Sequence, residues 1–229
     1  MTRLTGTRHN PNLRETIRET AWRQLAESGT SSLSLRAIAR ELGITAPAIY
    51  NYYPDRDALV TSLIIEAYSS FGDCQLQARD GYKPEQVVER FCAIGRAYRE
   101  WALSYPQRYQ LIFGWPIPGY HPPLPEILPS SARSLSALVS VVDDLRAADR
   151  LRTESFPLIN FDREEQFSFW KACLGGYHIL SLSVSMLVWS RVHGLVSLEI
   201  AGSLPPFGET GNALYHFEMQ SIARQLVKE

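Results

Sequence analysis

A pair of short predicted helices on either side of one glycine, in residues 34–54, constrains the fold of this chain more than any other feature. Ser34 is a favourable N-cap for the first helix, and Gly43 can adopt the positive φ that a tight turn between two helices requires. Thr45 is a favourable N-cap for the second helix, and Pro47 falls in its first turn, where the missing N–H breaks no hydrogen bond. This spacing predicts a helix-turn-helix.

Four small or branched apolar residues are placed to hold the two helices at a fixed angle. Ile38, Ile44 and Ile49 would wedge between the helices, and Ala39 is small enough to let them approach closely. In DNA-binding proteins this arrangement lays the N-terminal part of the second helix in the major groove of duplex DNA. The same pattern is also compatible with a helical hairpin that only packs against its neighbours.

If the segment binds DNA, its exposed side chains make the contacts. The hydroxyls of Thr45 and Tyr50 suit phosphates or base edges, Asn51 suits adenine, and the two alanines of the second helix suit thymine methyl groups. Arg36 and Arg56 flank that helix and suit phosphates. The expected DNA-contacting residues are Ser34, Arg36, Thr45, Ala46, Pro47, Ala48, Tyr50, Asn51, Tyr52 and Arg56.

Positive charge is concentrated near the N-terminus. Residues 1–54 contain seven arginines and four glutamates, a balance of +3, so the remainder carries −4 within a net charge of −1. A basic module on an acidic body permits electrostatic orientation on DNA. Arg3 and Arg8 would reach an adjacent minor groove from an N-terminal arm.

The stretch LSLRAIARELGITAPAIYNYYPDRDALV resembles the N-terminal domain of the tetracycline-repressor-like (TetR) transcriptional regulators, and the resemblance covers roughly residues 12–65. Family members usually have Lys where this chain has Arg56, a change that keeps the charge. The resemblance implies a homodimer, usually a repressor, that binds a palindromic operator in double-stranded DNA. It also implies a small effector in the second domain and pairing through the last two helices.

Helical periodicity continues through the rest of the chain and predicts an all-α fold. We expect an N-terminal three-helix bundle with the helix-turn-helix (residues 1–60), joined to a larger helical bundle for effector binding and dimerisation (residues 61–229). Asp55 would cap a fourth helix, and a proline-rich loop would occupy residues 115–125. Further predicted helices span residues 12–28, 85–105, 107–113, 130–150, 163–180, 183–202 and 212–227.

The segment around Trp189, His193 and Gly194 resembles the Trp-His-Gly signature of one C-terminal domain subtype in this family. Trp189 and His193 are four residues apart and share a helix face, and Gly194 permits close approach of another helix. We expect these three residues to pack in the core or at a dimer interface rather than to contact a ligand.

Aromatic residues of the second domain could line a cavity or fill one. The family resemblance favours a pocket for a small apolar or aromatic effector, as helix-bundle pockets are mostly apolar. The residues expected to line it are Trp101, Tyr109, Phe113, Trp115, Trp170 and Tyr177.

Other function classes lack support in the sequence. The three cysteines and five histidines show neither a CxxC nor an HExxH spacing, so we expect no metal site and no cofactor. No apolar run approaches the roughly 20 residues that span a bilayer, and no secretory signal is evident, so we expect a cytoplasmic protein without a membrane partner. The alternatives are a helical protein-interaction module and, less favoured, an enzyme using a His or Cys in the aromatic cavity, for which no catalytic partner is apparent.

Overall fold

A computed structural model describes residues 11–29, 33–156, 171–204 and 211–228, which are mostly helical and contain no strand. The helices, numbered in chain order, are α1 (Pro11–Ser28), α2 (Leu35–Glu41), α3 (Ala46–Tyr50), α4 (Arg56–Asp80), α5 (Val87–Ser104), α6 (Pro106–Phe113), α7 (Leu124–Ala147), α8 (Ile179–Ile200) and α9 (Asn212–Leu226). The predicted all-α class is confirmed.

The first three helices pack around a small apolar core. Ile17 and Leu25 of α1, Ile38 of α2 and Ile49 of α3 are all buried and belong to one apolar cluster. The i, i+4 and i+8 spacing of apolar residues on α1 therefore faces this core, as helical periodicity predicts.

The long helix α4 connects this bundle to the rest of the molecule. Asp55 is its N-cap, since Asp55 Oδ1 accepts a hydrogen bond from the Ala58 amide at 2.7 Å. Over its 25 residues α4 packs against α5 and α7 in the second half of the chain. At Gly72 a Cβ would lie 3.1 Å from the Ser134 Cα, so the glycine permits close contact between α4 and α7. The predicted domain boundary at residue 60 falls inside α4 and stays a prediction.

Helix α7 begins at Leu124, six residues earlier than predicted from the sequence. Pro125 lies in the first turn, where a proline is tolerated, and the buried Ile127 anchors this turn to the core. Pro129 lies inside the helix and removes a single backbone hydrogen bond there. Of the prolines that predicted a loop, only Pro125 lies in α7, and residues 115–123 form the loop that the sequence predicts.

The predicted helix over residues 163–180 is wrong at its C-terminal end, and residues 157–170 lie outside the described part of the chain. Gly175 and Gly176 both have φ near +80°, which interrupts a helix. His178 then caps α8, accepting a hydrogen bond from the Leu180 amide at Nδ1. Consequently α8 starts at Ile179, four residues before the predicted position.

Helix α8 corrects the expectation that no segment is long and apolar enough to span a bilayer. It has 22 residues and a mean hydropathy of 1.5, which satisfies that criterion by length and composition. The serines that interrupt the run have hydrogen-bond partners: Ser185 Oγ donates to the Ser181 carbonyl at 2.7 Å, and Ser181 Oγ donates to Asp143 of α7. One face of α8 packs against α5, α7 and α9, and 44% of its apolar stretch is buried within the chain.

Candidate functional site

The helix-turn-helix has the predicted turn. Ser34 caps α2, its Oγ accepting a hydrogen bond from the Ala37 amide at 3.4 Å. Gly43 has a φ of +65°, and the Ile44 amide donates to the Ala39 carbonyl at 3.0 Å, which closes the turn. Ile49 is fully buried and fixes α3 against the bundle.

One side of α3 faces solvent, and most of the predicted DNA-contacting residues lie there. Ala48 and Tyr52 are half-buried, whereas Tyr50 is 41% exposed. The remaining exposed residues of this surface are Thr45, Ala46, Pro47 and Asn51. We call residues 45–52 without the buried Ile49 the α3 surface.

Thr45 has the backbone of an N-cap, but its hydroxyl makes no cap hydrogen bond within the described part of the chain. The reason is local. Pro47 has no N–H to donate, and the Ala48 amide already donates to the Thr45 carbonyl at 2.9 Å. The predicted side-chain cap is therefore not formed, and the hydroxyl lies at an exposed position.

The two predicted phosphate-contacting arginines differ in their surroundings. Arg36 on α2 is exposed, whereas Arg56 is half-buried at the start of α4 and lies 3.7 Å from the Asp57 carboxylate. The hydroxyl of Ser34 accepts the capping hydrogen bond from the Ala37 amide. Arg3 and Arg8 lie outside the described residues.

Contacts behind the α3 surface attach it to α1 and α4, and the sequence did not reveal them. Tyr53 is buried, its ring lies 5.4 Å from the Arg14 guanidinium carbon, and its hydroxyl accepts a hydrogen bond from Ser62 Oγ. Glu41 of α2 forms an ion pair with Arg23 of α1 and accepts a hydrogen bond from Gln24 at 2.9 Å. Partners this far apart in sequence leave no periodic signal.

A second group of side chains fills the centre of the C-terminal helices. It comprises Phe71, Tyr98, Trp101, Tyr109, Phe113, Trp189 and His193, here called the aromatic cluster. Ring centroids of Phe71 and Trp101 are 4.8 Å apart, and those of Tyr109 and Phe113 are 5.0 Å apart. Trp101, Tyr109 and Phe113, three of the residues predicted to line a pocket, therefore lie together.

The other predicted pocket residues lie elsewhere. Trp115 is 94% exposed in the loop after α6 and points away from the aromatic cluster into solvent. Tyr177 is half-buried in the turn before α8. Trp170 lies outside the described residues.

His193 is the polar centre of the aromatic cluster. Its Nδ1 lies 2.8 Å from the Tyr109 hydroxyl and 3.1 Å from the Tyr98 hydroxyl, and its Nε2 lies 3.3 Å from Ser197 Oγ. The Trp189 ring stacks on the imidazole at 4.7 Å. Burial lowers the pKa of His193, so the ring is held in its neutral form. The expectation that Trp189 and His193 pack in the core agrees with these contacts.

Gly194 differs from Trp189 and His193 in its surroundings. Among the described residues, no atom lies within 4 Å of the position that a Cβ would occupy there. Its predicted role in close helix packing is therefore not fulfilled within one chain.

The described residues contain no group of three or more His, Cys, Asp or Glu side chains arranged to hold a metal ion. The chemistry of the α3 surface is that of hydroxyl, amide and methyl groups on a short projecting helix with exposed arginines nearby. Such a surface suits the phosphates and base edges of duplex DNA.

Comparisons with known proteins agree with this geometry in both halves of the chain. Residues 17–63 match the family described as bacterial regulatory proteins, tetR family, and residues 91–222 match the tetracyclin repressor-like C-terminal domain. The HTH-type transcriptional regulators Mb1846 of Mycobacterium bovis and Rv1816 of Mycobacterium tuberculosis are each 34% identical over 193 residues, covering 81% of this chain and 80% of theirs.

Solved structures share the fold. The putative regulatory protein SCO4313 has a TM-score of 0.71 at 32% identity, covering 92% of this chain and 95% of its own. SmeT, in a complex with triclosan, has a TM-score of 0.64 at 13% identity over 95% of this chain and 93% of its own, a likeness of fold alone. The matched relatives are transcriptional regulators and not enzymes. This chain belongs to the TetR family of DNA-binding transcriptional regulators.

Proposed function

We propose that the protein is a cytoplasmic homodimeric repressor that binds a palindromic operator and releases it when a small apolar or aromatic effector binds. The observation that carries the DNA-binding part is the α3 surface, an exposed helix face fixed from behind by Ile49 and Tyr53. Thr45, Tyr50 and Asn51 would read base edges, and Arg36 and Arg56 would hold phosphates. The remaining residues of the α3 surface would supply van der Waals contacts.

Exposed apolar groups on the last two helices support the homodimer. Phe217 on α9 is 68% exposed, Leu198 on α8 is also exposed, and the open space beside Gly194 leaves room for a partner helix. Pairing these helices in two copies would bury groups that otherwise face water. Twofold symmetry would then place two α3 helices one helical turn of DNA apart, or a multiple of it.

The aromatic cluster supports the effector site. Its rings and the hydroxyls around His193 offer apolar contact area with a few polar groups, as ligand pockets do. These side chains fill the region and leave a void of only about 20 Å³ beside Tyr98 and Trp189, so an effector would have to displace some of them. SmeT, which shares the fold, forms a complex with triclosan. An effector that binds more tightly to one spacing of the α3 helices would shift the dimer toward that spacing and away from the operator.

The DNA-binding proposal is tested by replacing Thr45→Ala and Tyr50→Ala together. Both side chains are exposed and Thr45 makes no cap bond, so thermal unfolding should change little. Loss of two contacts worth about 1–3 kcal/mol each should weaken binding to a duplex recovered by genome-wide selection by about 30-fold or more. Fluorescence anisotropy measures the affinity, and Gln77→Ala, an exposed neutral change on α4, should leave it unchanged.

A folded double variant that keeps wild-type affinity for the selected duplex would refute the role of the α3 surface. A salt series separates this protein from a protein-interaction module, because phosphate contacts make the affinity fall steeply with salt concentration. A flat salt response in the wild type would favour the interaction module.

The homodimer is tested by Phe217→Glu. Because the side chain is largely exposed within one chain, the substitution should leave the fold intact while placing a charge in the proposed interface. Light scattering at micromolar concentration should give the mass of two chains for the wild type and for Gln77→Glu, and of one chain for Phe217→Glu. A wild-type mass of one chain would contradict the symmetric assembly.

A further inference from the structure

The void beside the aromatic cluster lies where five helices meet. Its volume is about 20 Å³, and residues of α4, α5, α7, α8 and α9 form its wall. Tyr98 and Trp189 belong to both the wall and the aromatic cluster. The rest of the wall is apolar except for one side chain, the amide of Gln75 on α4.

The amide of Gln75 has a single possible orientation. The side chain is buried, and its Nε2 donates to the Phe71 carbonyl at 2.9 Å and to the Ser134 carbonyl at 3.0 Å, which uses both N–H groups. Exchanging the nitrogen and the oxygen would point Oε1 at two carbonyl oxygens, which cannot donate. Oε1 is therefore the amide atom left to face the void, and no described residue donates a hydrogen bond to it.

A buried acceptor that faces an apolar void favours a ligand with a hydrogen-bond donor. An unpaired acceptor in such a place costs free energy, which a donor from the ligand recovers. The Tyr98 hydroxyl does not compete for this donor, since it already lies 3.1 Å from His193 Nδ1 and 3.4 Å from the Tyr109 hydroxyl. A buried water usually makes about three hydrogen bonds, so this wall suits an apolar molecule with one donor better than it suits water.

Met219 on α9 is the part of the wall that can move most readily. Its side chain is buried and lies against Gly95 of α5, where a Cβ would overlap the Met219 thioether. An unbranched thioether has three rotatable bonds and repacks easily. Tyr98 and Trp189, in contrast, are held by their hydrogen bond and ring stacking with His193. A change of the Met219 rotamer would therefore enlarge the void toward α9.

We infer that Gln75 is the polar anchor of a ligand site whose occupant is a compact apolar molecule with one hydroxyl donor, such as a phenol. The hydroxyl donates to Gln75 Oε1, and the apolar body takes the place of the Met219 thioether. This names the chemical class of the effector and rests on the proposed function for the effect of that ligand on the operator. Binding at Gln75 itself requires neither DNA nor a dimer.

Two probes of nearly equal shape test the anchor. Only para-fluorophenol has a donor, whereas para-difluorobenzene carries a fluorine in its place. Fluorine NMR titration of the full chain, without DNA, measures the dissociation constant of each probe. We expect the phenol to bind about fivefold tighter to the wild type, as one additional hydrogen bond would give. Met219→Ala should bind both probes about tenfold tighter, because no side chain then has to be displaced.

Gln75→Met tests whether this acceptor is the one that selects the phenol. It removes the amide and keeps the length of the side chain. Phe71 and Ser134 lie inside α4 and α7, where their carbonyls also accept helix hydrogen bonds, so the variant should fold. It should lose the preference for the phenol. Gln77→Met, the same change at an exposed position of α4, should keep that preference.

Four results would each overturn the inference: no binding of the phenol to the wild type at millimolar concentration, equal affinities of the wild type for the two probes, an unchanged preference in Gln75→Met, or unchanged affinities in Met219→Ala. The first, second and fourth do not depend on the folding of Gln75→Met. A phenol that binds through Gln75 but does not release the operator would count against the proposed function alone. Loss of operator binding by the wild type would likewise leave the titrations readable.

Discussion

At the scale of single residues, the imidazole of His193 brings polar chemistry into an otherwise apolar core. Neutral imidazole has one donor and one acceptor nitrogen, and here both face hydroxyl groups that can match them, from Tyr109 on one side and Ser197 on the other. A proton added to the ring would have to be held inside the aromatic cluster, away from water. This is why burial lowers the pKa of His193.

The lowered pKa predicts a pH dependence of stability. In the unfolded chain the ring titrates near its ordinary value of about 6.5, so below that pH the unfolded state binds a proton that the folded state does not. The free energy of unfolding therefore falls as the pH drops from about 6.5 toward the folded-state pKa and is fully present above 6.5. Denaturant unfolding between pH 5 and 8 should show this slope, which His193→Gln should reduce.

The exposed His216 on α9 supplies the matched control for this experiment. His216→Gln should keep the slope of the wild type. If His193→Gln keeps the same slope as well, the imidazole is not held neutral by the fold.

Three single-residue predictions that depend on local chemistry succeeded, whereas the side-chain cap predicted for Thr45 is not formed. Ser34, Gly43 and Asp55 occupy the cap and turn positions that their side chains favour. Trp115 was predicted wrongly to line the pocket: it is exposed in the loop after α6, whereas Ile117, two residues later, is buried. The partners of Glu66 were also not predictable, since Trp22 and Arg108 are separated from it by more than 40 residues.

At the scale of helices, the periodicity of apolar residues predicted which segments are helical, but tertiary contacts decided where several of them begin. Prolines ahead of α7 and glycines ahead of α8 are both turn signals in sequence. The structure keeps most of these prolines in the loop before α7, places only Pro125 and Pro129 within the helix, and uses the two glycines as a left-handed break. Whether such a residue stops a helix depends on the packing of its neighbours, such as Ile127, and not on its own preference.

An ion pair joins three helices of the C-terminal half. Arg99 of α5 forms two hydrogen bonds to Glu199 of α8, at 2.8 and 2.6 Å, and a third to Asn212 of α9. The ring of Tyr215 lies 5.5 Å from the guanidinium carbon. The two charged side chains are only 14% and 13% exposed, so water screens their attraction weakly.

Glu199→Gln should therefore cost about 2–3 kcal/mol of the free energy of unfolding, because it leaves a shielded guanidinium without its carboxylate. Asp73→Asn is the matched control: the Arg133–Asp73 pair has a similar distance, 2.6 Å, but its side chains are 54% and 59% exposed. Such pairs contribute less than about 1 kcal/mol. Equal losses in the two variants, measured by urea unfolding at one protein concentration, would show that shielding does not set the strength of the Arg99–Glu199 pair.

At the scale of the whole molecule, an N-terminal bundle carries the α3 surface and a C-terminal bundle carries the aromatic cluster, with α4 running through both. The sequence predicted this division from one motif and from helical periodicity. It did not predict the contacts between the halves, because Tyr53, Glu66 and Arg108 join elements that no local pattern connects. The contacts between the two halves were therefore the hardest part of the structure to predict from the sequence.

The claim that the α3 surface reads duplex DNA is tested most directly by photo-crosslinking. Tyr50 replaced by a photoreactive phenylalanine analogue should crosslink to a base within each half-site of the selected duplex, since this exposed ring would lie in the major groove. The same analogue in place of Trp115, an even more exposed ring on the C-terminal half, should give no crosslink. Crosslinks from position 115 but not from position 50, in a protein bound to that duplex, would contradict the account.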